Sequence, residues 1–149
     1  MDDELDFGPI ATEFYAQVIL VVEDHKPLLS NTRLKKLAAT TIDACTSDAP
    51  GSLWGCRILP DSIRLIVGLT DEDRLDQFVE TLKTRISSVL LDTIRHMEDE
   101  ESLDSVLRYN PVWGGTIYHV WQSGYHRQDY HTEYRLSNAV YEMLREEGC

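Results

Sequence analysis

Two short apolar runs on either side of one tight turn constrain the fold of this chain more than any other feature. The first run is Leu53 to Leu59, the second is Ile63 to Val67, and Pro60-Asp61 lies between them. Pro and Asp favour a turn, and apolar runs of this length favour strands. The sequence therefore predicts an antiparallel hairpin, whose departing strand opens with Ser62, Ile63 and Arg64.

The apolar pattern predicts further elements on both sides of the hairpin. They are a strand over Phe14 to Val22, a helix from Ser30 or Asn31 to about Cys45, a long helix over residues 75–95, a strand over Thr116 to Trp121 and a final helix over about Glu133 to Glu146. With a short helix near Ser102 to Arg108 set aside, the first six elements match a ferredoxin-like βαββαβ order. We therefore expect an α+β fold, with an antiparallel sheet, helices on one face and an added C-terminal helix.

Size and composition favour one folded domain over residues 1–149, in which residues 1–12 form a flexible acidic arm. Hydrophobic residues make up 42% of the chain, enough for a core. No apolar run approaches the roughly 18 residues of a membrane helix, and the acidic N-terminus does not resemble a signal peptide. We expect no membrane association and a cytoplasmic location.

The three cysteines are widely separated and include no Cys-x-x-Cys pair. This spacing argues against a disulfide framework and against a zinc knuckle. Cys45 and Cys56 are interpreted as small buried hydrophobic residues.

The formal net charge of −12 weighs against a dedicated nucleic-acid-binding protein. Phosphate neutralisation by Lys and Arg supplies most of the affinity for nucleic acids, and an acidic protein repels a polyanion at long range. A local basic patch is then required for DNA binding.

Four stretches of the chain carry a family resemblance. They are Phe14 to Leu29, which ends in Pro-Leu-Leu; Leu59 to Val67, which reads Leu-Pro-Asp-Ser-Ile-Arg-Leu-Ile-Val; Leu82 to Ser87, which reads Leu-Lys-Thr-Arg-Ile-Ser; and Val120 to His126, which reads Val-Trp-Gln-Ser-Gly-Tyr-His. Together and in this order they resemble single-tyrosine (HUH-type) transposases of the small insertion-sequence (IS200-like) and REP-associated kind. The resemblance implies DNA transposition through cleavage of single-stranded DNA, with a covalent phosphotyrosine and a divalent metal, Mg or Mn.

The metal motif of that family is His-hydrophobic-His on the second strand of the hairpin. Residues at i and i+2 of a strand share a face, so both imidazoles reach one ion. Ser62 and Arg64 occupy these positions here. A hydroxyl is a poor ligand and a guanidinium cannot ligate a metal. The resemblance therefore implies a lost metal site, no expected cofactor and no cleavage. His119, His126 and His131 are other candidate ligands, with Asp129 near the last two, and ordinary surface residues are the simpler interpretation.

Tyr141 best matches the family nucleophile, and Tyr134 lies two turns earlier on the same face of the final helix. A further ligand of some family members would fall one turn beyond, at Arg145, which is cationic. The alternative is an amphipathic helix with a tyrosine at its boundary, and the missing metal motif favours that alternative.

Arg64, Lys83 and Arg85 are the candidate DNA-binding residues. A guanidinium at position 64 can hold a phosphate through two hydrogen bonds, or it can pair with a local carboxylate such as Asp61 or Glu142. Lys83 and Arg85 can extend a positive patch or merely solvate a helix. Trp54, Trp113 and Trp121 can stack on unpaired bases, although core packing is the more common use.

The leading hypothesis is a transposase-like domain without cleavage activity, whose partners are single-stranded or hairpin DNA and a second copy of the chain. Pairing of sheet edges would form this homodimer. One alternative is an active metal-dependent tyrosine nuclease. The other is a protein-interaction domain without DNA contact, which the net charge favours.

Overall fold

The described part of the chain contains six strands, four α-helices and three short 3-10 helices. The computed structural model describes residues 14–48, 51–69, 72–97, 100–110, 115–130 and 133–145. The strands are β1 (Phe14–Val21), β2 (Gly51–Leu59), β3 (Ser62–Leu69), β4 (Leu107–Asn110), β5 (Gly115–Tyr118) and β6 (His126–Tyr130), and the helices are α1 (Thr32–Asp48), α2 (Leu75–His96), α3 (Glu100–Val106) and α4 (Glu133–Arg145).

The main sheet has four antiparallel strands in the order β2-β3-β1-β6. The predicted hairpin is confirmed: Leu59 pairs with Ser62 across Pro60-Asp61. Strands β4 and β5 form a separate two-stranded sheet. The α+β class and the ferredoxin-like sheet are thus confirmed.

Helices α1 and α2 cover one face of the sheet and bury most of the core. Helix α1 starts where the side-chain oxygen of Asn31 accepts a hydrogen bond from the Leu34 amide at 3.1 Å, as an N-cap residue does. Helix α2 presents a buried stripe at helical spacing: Leu75, Val79, Leu82, Ile86, Leu90 and Ile94. Each such side chain contributes about 1.5–3 kcal/mol when it leaves water.

Helix α4 packs on the opposite face of the sheet. Its Leu136 and Met143 form a second apolar cluster with Ile66 of β3 and Tyr130 of β6. The helix comes so close to β2 that a Cβ at Gly55 would lie 3.0 Å from the Met143 Sδ atom. The added C-terminal helix was predicted. The face of the sheet on which it packs is also the face that carries the candidate functional residues.

The prediction for the fourth strand of the main sheet was wrong. Residues 115–118 instead form β5 in the small sheet, and Trp121 makes only an isolated bridge to Val22. The fourth strand is β6, which pairs with β1 beyond a bend at Gly124, where φ is +75°. Strand β6 reads His-Arg-Gln-Asp-Tyr, so it has none of the apolar alternation that predicts a strand.

Cys45 and Cys56 are buried in the main core, as predicted. Cys56 is also disulfide-bonded, contrary to the expectation from the cysteine count. No helix in the described ranges is long and apolar enough to cross a membrane. The predicted acidic arm, residues 1–12, lies outside the described residues.

Candidate nucleic-acid interface

Ser62 and Arg64 lie on the face of the sheet that α4 covers. Successive residues of a strand alternate between faces, so both share the face of Ile66, which packs against α4. The intervening Ile63 and Leu65 belong to the core under α1 and α2. The two positions that hold a metal in the resembled family therefore share one face here also.

The side chains at this place do not fit a metal ion. Ser62 is buried, and Arg64 lies directly opposite Arg57 of β2. Side chains opposite one another in antiparallel strands are roughly 4.5–5.5 Å apart at Cβ, which places two permanent cations together. Within the ranges that the structure describes, no group of three or more His, Cys, Asp or Glu side chains could hold an ion.

A small cavity of about 130 Å³ lies between this face and α4. Its polar lining is Gln17, Arg57, Arg64, Tyr130 and Glu142, and its apolar lining is Ala139 and Met143. The Tyr130 hydroxyl donates a hydrogen bond to the Gln17 side-chain oxygen at 2.8 Å, and burial raises the pKa of Tyr130. Both polar groups are therefore oriented beside the arginines.

One donor of the Arg64 side chain is buried. Its Nε atom is shielded from solvent and has no hydrogen-bond partner among the described residues. Asp61, one carboxylate suggested as its partner, lies 3.0 Å from the Nδ1 atom of His25 instead. Glu142, the other suggestion, lines the same cavity.

Sequence reasoning missed Arg57, Gln17 and Tyr130. Arg57 could have been found, because a two-residue turn that pairs Leu59 with Ser62 also places residue 57 opposite residue 64. Gln17 and Tyr130 come from β1 and β6, and no local pattern predicted their registers.

Tyr141 lies away from the cavity. Helix α4 turns Leu136 and Met143 toward the sheet, whereas Tyr141 is 64% exposed and is not among the residues that line the cavity. The side chains of Tyr134 and Arg145 lie outside the described residues. The assignment of Tyr141 as a nucleophile stays a prediction.

Lys83 and Arg85 are carried by α2, on the face of the sheet opposite Arg64. The Lys83 ammonium donates hydrogen bonds to the carbonyl oxygens of Gln122 at 3.2 Å and Gly124 at 3.0 Å. Arg85 is exposed on the same helix. These two residues therefore cannot form one continuous surface with Arg64.

The two tryptophans with described side chains differ in burial. Trp121 is 5% exposed and donates its indole N–H to the Lys83 carbonyl at 3.0 Å, so it belongs to the core. Trp54 is 44% exposed and meets Tyr15 edge to face, with ring centroids 5.6 Å apart. Trp113 lies outside the described residues. Of the two tryptophans with described side chains, Trp54 is therefore the more exposed one, and base stacking by it stays a prediction.

Hydrogen bonds and ion pairs link β6 and the segment before it to α2 and to the residues that precede α2. Tyr125 donates its hydroxyl to Asp76, and burial together with this carboxylate raises the pKa of Tyr125 to about 12. Arg127 pairs with Glu72 at 2.8 Å and with Asp129 at 3.0 Å. These contacts hold an edge strand that has little apolar surface of its own.

Several solved structures resemble this chain, and two of them do so over 96% and 97% of its length. One is the REP-associated tyrosine transposase bound to a REP hairpin, with a TM-score of 0.60, 10% identity, and coverage of 96% of this chain and 70% of that chain. This chain has the fold of a tyrosine transposase. The other, described as a candidate transposase from Deinococcus radiodurans R1, has a TM-score of 0.58, 16% identity, and coverage of 97% of this chain and 100% of that chain.

The predicted resemblance to single-tyrosine transposases is confirmed at the level of the fold. No family model matches the sequence, and no curated protein matches it. Arg57 and Arg64, which lie opposite each other on the α4 side of the sheet, are the main cationic feature of the candidate interface.

Proposed function

We propose that this chain binds single-stranded or hairpin DNA through the α4 side of its sheet and does not cut it. The observation behind the proposal is the pair Arg57 and Arg64, which stands on the face where the resembled family holds its metal ion. Guanidinium groups bind phosphate through paired, charge-assisted hydrogen bonds. The binding function is retained in this proposal, and the catalytic one is lost.

The chemistry of the side chains supports the proposed absence of cleavage. Ser62 and Arg64 offer no good ligand for Mg or Mn, so no metal cofactor is proposed. Tyr141 is exposed on the outer side of α4, outside the cavity that the arginines line. A tyrosine without a polarised phosphate beside it is a weak nucleophile.

The net charge of −12 limits this binding to a local patch. DNA then approaches against a repulsive field, so affinity is low at physiological salt and rises at low salt. The REP-associated relative is described in complex with a REP hairpin, which supports hairpin DNA as the first substrate to test. A cytoplasmic location belongs to the same proposal.

Fluorescence anisotropy with a labelled hairpin and a labelled single strand tests the binding. We expect affinity to fall between about 50 and 200 mM salt, with a log–log slope of about −1.4 for two phosphate contacts on a single strand. No detectable binding at the lowest salt would reject the proposal in favour of a protein-interaction domain.

Incubation of the same DNA with Mg or Mn tests the lack of cleavage. We expect neither shortened DNA nor a covalent adduct on a denaturing gel. An adduct that the Tyr141→Phe variant loses would instead establish an active tyrosine nuclease. An adduct that survives this substitution would point to another nucleophile, and it would also contradict the proposal.

A homodimer is part of the proposal as well. The outer edges of β2 and β6 are the two edges of the main sheet, and unpaired edges can join in an extended sheet. Light scattering after size-exclusion chromatography gives the mass directly. A mass of one chain, 17.1 kDa, at all concentrations would exclude the dimer.

A further inference from the structure

A group of cations lies at the start of α1, outside the candidate interface on the α4 side. In a chain whose net charge is −12, four of the 14 Lys and Arg residues fall within residues 26–36, and no Asp or Glu occurs from residue 25 to residue 42. The four are Lys26, Arg33, Lys35 and Lys36. Three of them are exposed, and Lys35 is half-buried. We call these four residues the α1 basic surface.

Neighbouring carboxylates do not neutralise the α1 basic surface. Within the described ranges, none of its four side chains forms a hydrogen bond or an ion pair. Carboxylates from the adjoining segments have other partners, since Glu23 contacts His119 and Asp61 lies 3.0 Å from the Nδ1 atom of His25. Asp24, two residues before Lys26, contacts none of the four. Their charges are therefore available to a bound anion.

The positions of these cations oppose the stability of α1 itself. The N-terminus of a helix carries partial positive charge, which favours acidic residues in the first turn and basic residues in the last. Helix α1 has neither, and it places Arg33, Lys35 and Lys36 in its first two turns instead. A local choice that works against stability is expected where function requires it.

The composition of the surface suits the phosphates of double-stranded DNA. Exposed Ser30 and Thr32 lie between the cations, and Lys, Arg and hydroxyl groups are the side chains that contact the duplex backbone. Proteins that bind unpaired strands add aromatic side chains on which the bases stack. Residues 22–48 contain no Phe, Tyr or Trp, so this surface offers contacts to phosphates and none to exposed bases.

The α1 basic surface lies at the same end of the main sheet as Arg64. The Leu29 amide donates a hydrogen bond to the Pro60 carbonyl at 2.9 Å, so the segment before α1 is held against the turn between β2 and β3. Arg64 lies three residues beyond Asp61, which is about 10 Å at about 3.3 Å per strand residue. One DNA hairpin can therefore contact the α1 basic surface with its stem and the α4 side with its unpaired strand.

We propose that the α1 basic surface binds the phosphate backbone of the double-stranded stem of a DNA hairpin. The inference deepens the proposed function, on which it rests for DNA as the partner. It adds recognition of the stem to the contact with unpaired DNA on the α4 side. Because each cation that meets a phosphate releases a counterion, the added contacts make hairpin binding more dependent on salt.

Fluorescence anisotropy of the whole chain over a series of salt concentrations tests this surface. The two probes are a labelled hairpin and a labelled single strand of the same length. The log–log salt slope of the hairpin should be steeper by about 0.9 for each stem contact, which amounts to about 2–3 for the three exposed cations. Equal slopes for the two probes would reject the stem contact.

A triple variant locates the response: Lys26→Gln, Arg33→Gln and Lys36→Gln. It should bind the hairpin more weakly, with a slope that is shallower by about 2–3, and should bind the single strand like the unchanged chain. Arg74→Gln is the matched control and should leave both affinities unchanged. Arg74 is also exposed and has no side-chain contact in the described part of the chain, but it lies in an acidic segment.

Thermal denaturation separates a loss of contacts from a loss of folding. The Tm of the triple variant should equal or exceed that of the unchanged chain, because cations at the start of α1 oppose the helix dipole. If the triple variant does not fold, the single variant Arg33→Gln should still make the hairpin slope shallower by about 0.9.

The outcomes separate this inference from the proposed function. Equal hairpin slope and affinity in the unchanged chain and the triple variant would reject the surface and leave the proposed function intact. An equal loss for both probes would indicate a general contact with polyanions and reject the stem assignment. A loss confined to the hairpin, without detectable binding of the single strand, would uphold the surface and reject the α4 side as the site of unpaired DNA. No binding of either probe at the lowest salt would reject both.

Discussion

Replacing Lys83 with methionine is expected to lower stability and to leave DNA affinity unchanged. The Lys83 ammonium donates to two carbonyl oxygens, of Gln122 at 3.2 Å and of Gly124 at 3.0 Å. These bonds tie α2 to the segment that precedes β6. Methionine keeps the apolar stem of the side chain and removes only the donor.

The magnitude follows from the partial exposure of these bonds. Hydrogen bonds to charged groups contribute about 1.5–3 kcal/mol when buried, and solvent reduces this figure at the surface. We expect a loss of about 1–2 kcal/mol in the free energy of unfolding. For a domain of this size, that loss lowers Tm by about 2–8 °C.

Thermal denaturation and DNA anisotropy should be measured on the same preparations. Lys36→Met is the matched control, because Lys36 is an exposed lysine on α1, and its Tm should stay near that of the unchanged chain. An unchanged Tm for Lys83→Met would refute the structural role of these hydrogen bonds. A loss of DNA affinity would indicate that Lys83 contacts DNA, and it would contradict the proposal that DNA binds on the opposite face of the sheet.

Three further substitutions or titrations test separate parts of the structure. Trp54→Ala should weaken single-stranded DNA binding by about 1–3 kcal/mol in an anisotropy titration, since stacking on an exposed indole is lost; equal affinity would exclude Trp54 from the interface. Asn31→Ala should lower the free energy of unfolding in urea by about 1 kcal/mol because helix α1 loses its N-cap, whereas Asn31→Asp should retain most of it; equal losses in both variants would contradict the capping role. The phenol of Tyr125 should ionise near pH 12 in an ultraviolet titration, and Asp76→Asn should lower that pKa. Because the folded pKa of Tyr125 lies above its ordinary value of 10.0, its contribution to stability is complete below about pH 10 and is lost as the pH rises toward 12. A midpoint near 10 in the folded chain would contradict the Asp76 contact.

The hairpin and α2 could be predicted because their signals are local. The turn at Pro60-Asp61 lies between two apolar runs, and the stripe on α2 repeats at helical spacing. The paired arginines depend on the register of β2 against β3, which a sequence pattern indicates only after the turn length is known. Their position was therefore half predicted: Arg64 was a candidate and Arg57 was not.

Strand β6 and Lys83 show why the rest could not be predicted. Strand β6 is an edge strand with polar side chains, and its stability comes from pairing with β1 and from ion pairs such as Arg127–Glu72. Lys83 looked like a surface cation, but its partners lie 39 and 41 residues away along the chain. Contacts over such separations leave no periodic signal in the sequence.

The late position of β6 along the chain has a consequence for folding. The Tyr130–Gln17 hydrogen bond joins residues 113 positions apart, whereas β2 and β3 meet across a two-residue turn. During synthesis, β1 to β3 with α1 and α2 can form the larger core before β6 leaves the ribosome, because local pairings close first. Strand β6 and α4 are then the last elements to close the cavity that Arg57 and Arg64 line. In the finished molecule, the detachment of these two elements would open the cavity and leave the larger core intact, since parts with small apolar clusters open at the lowest cost in free energy.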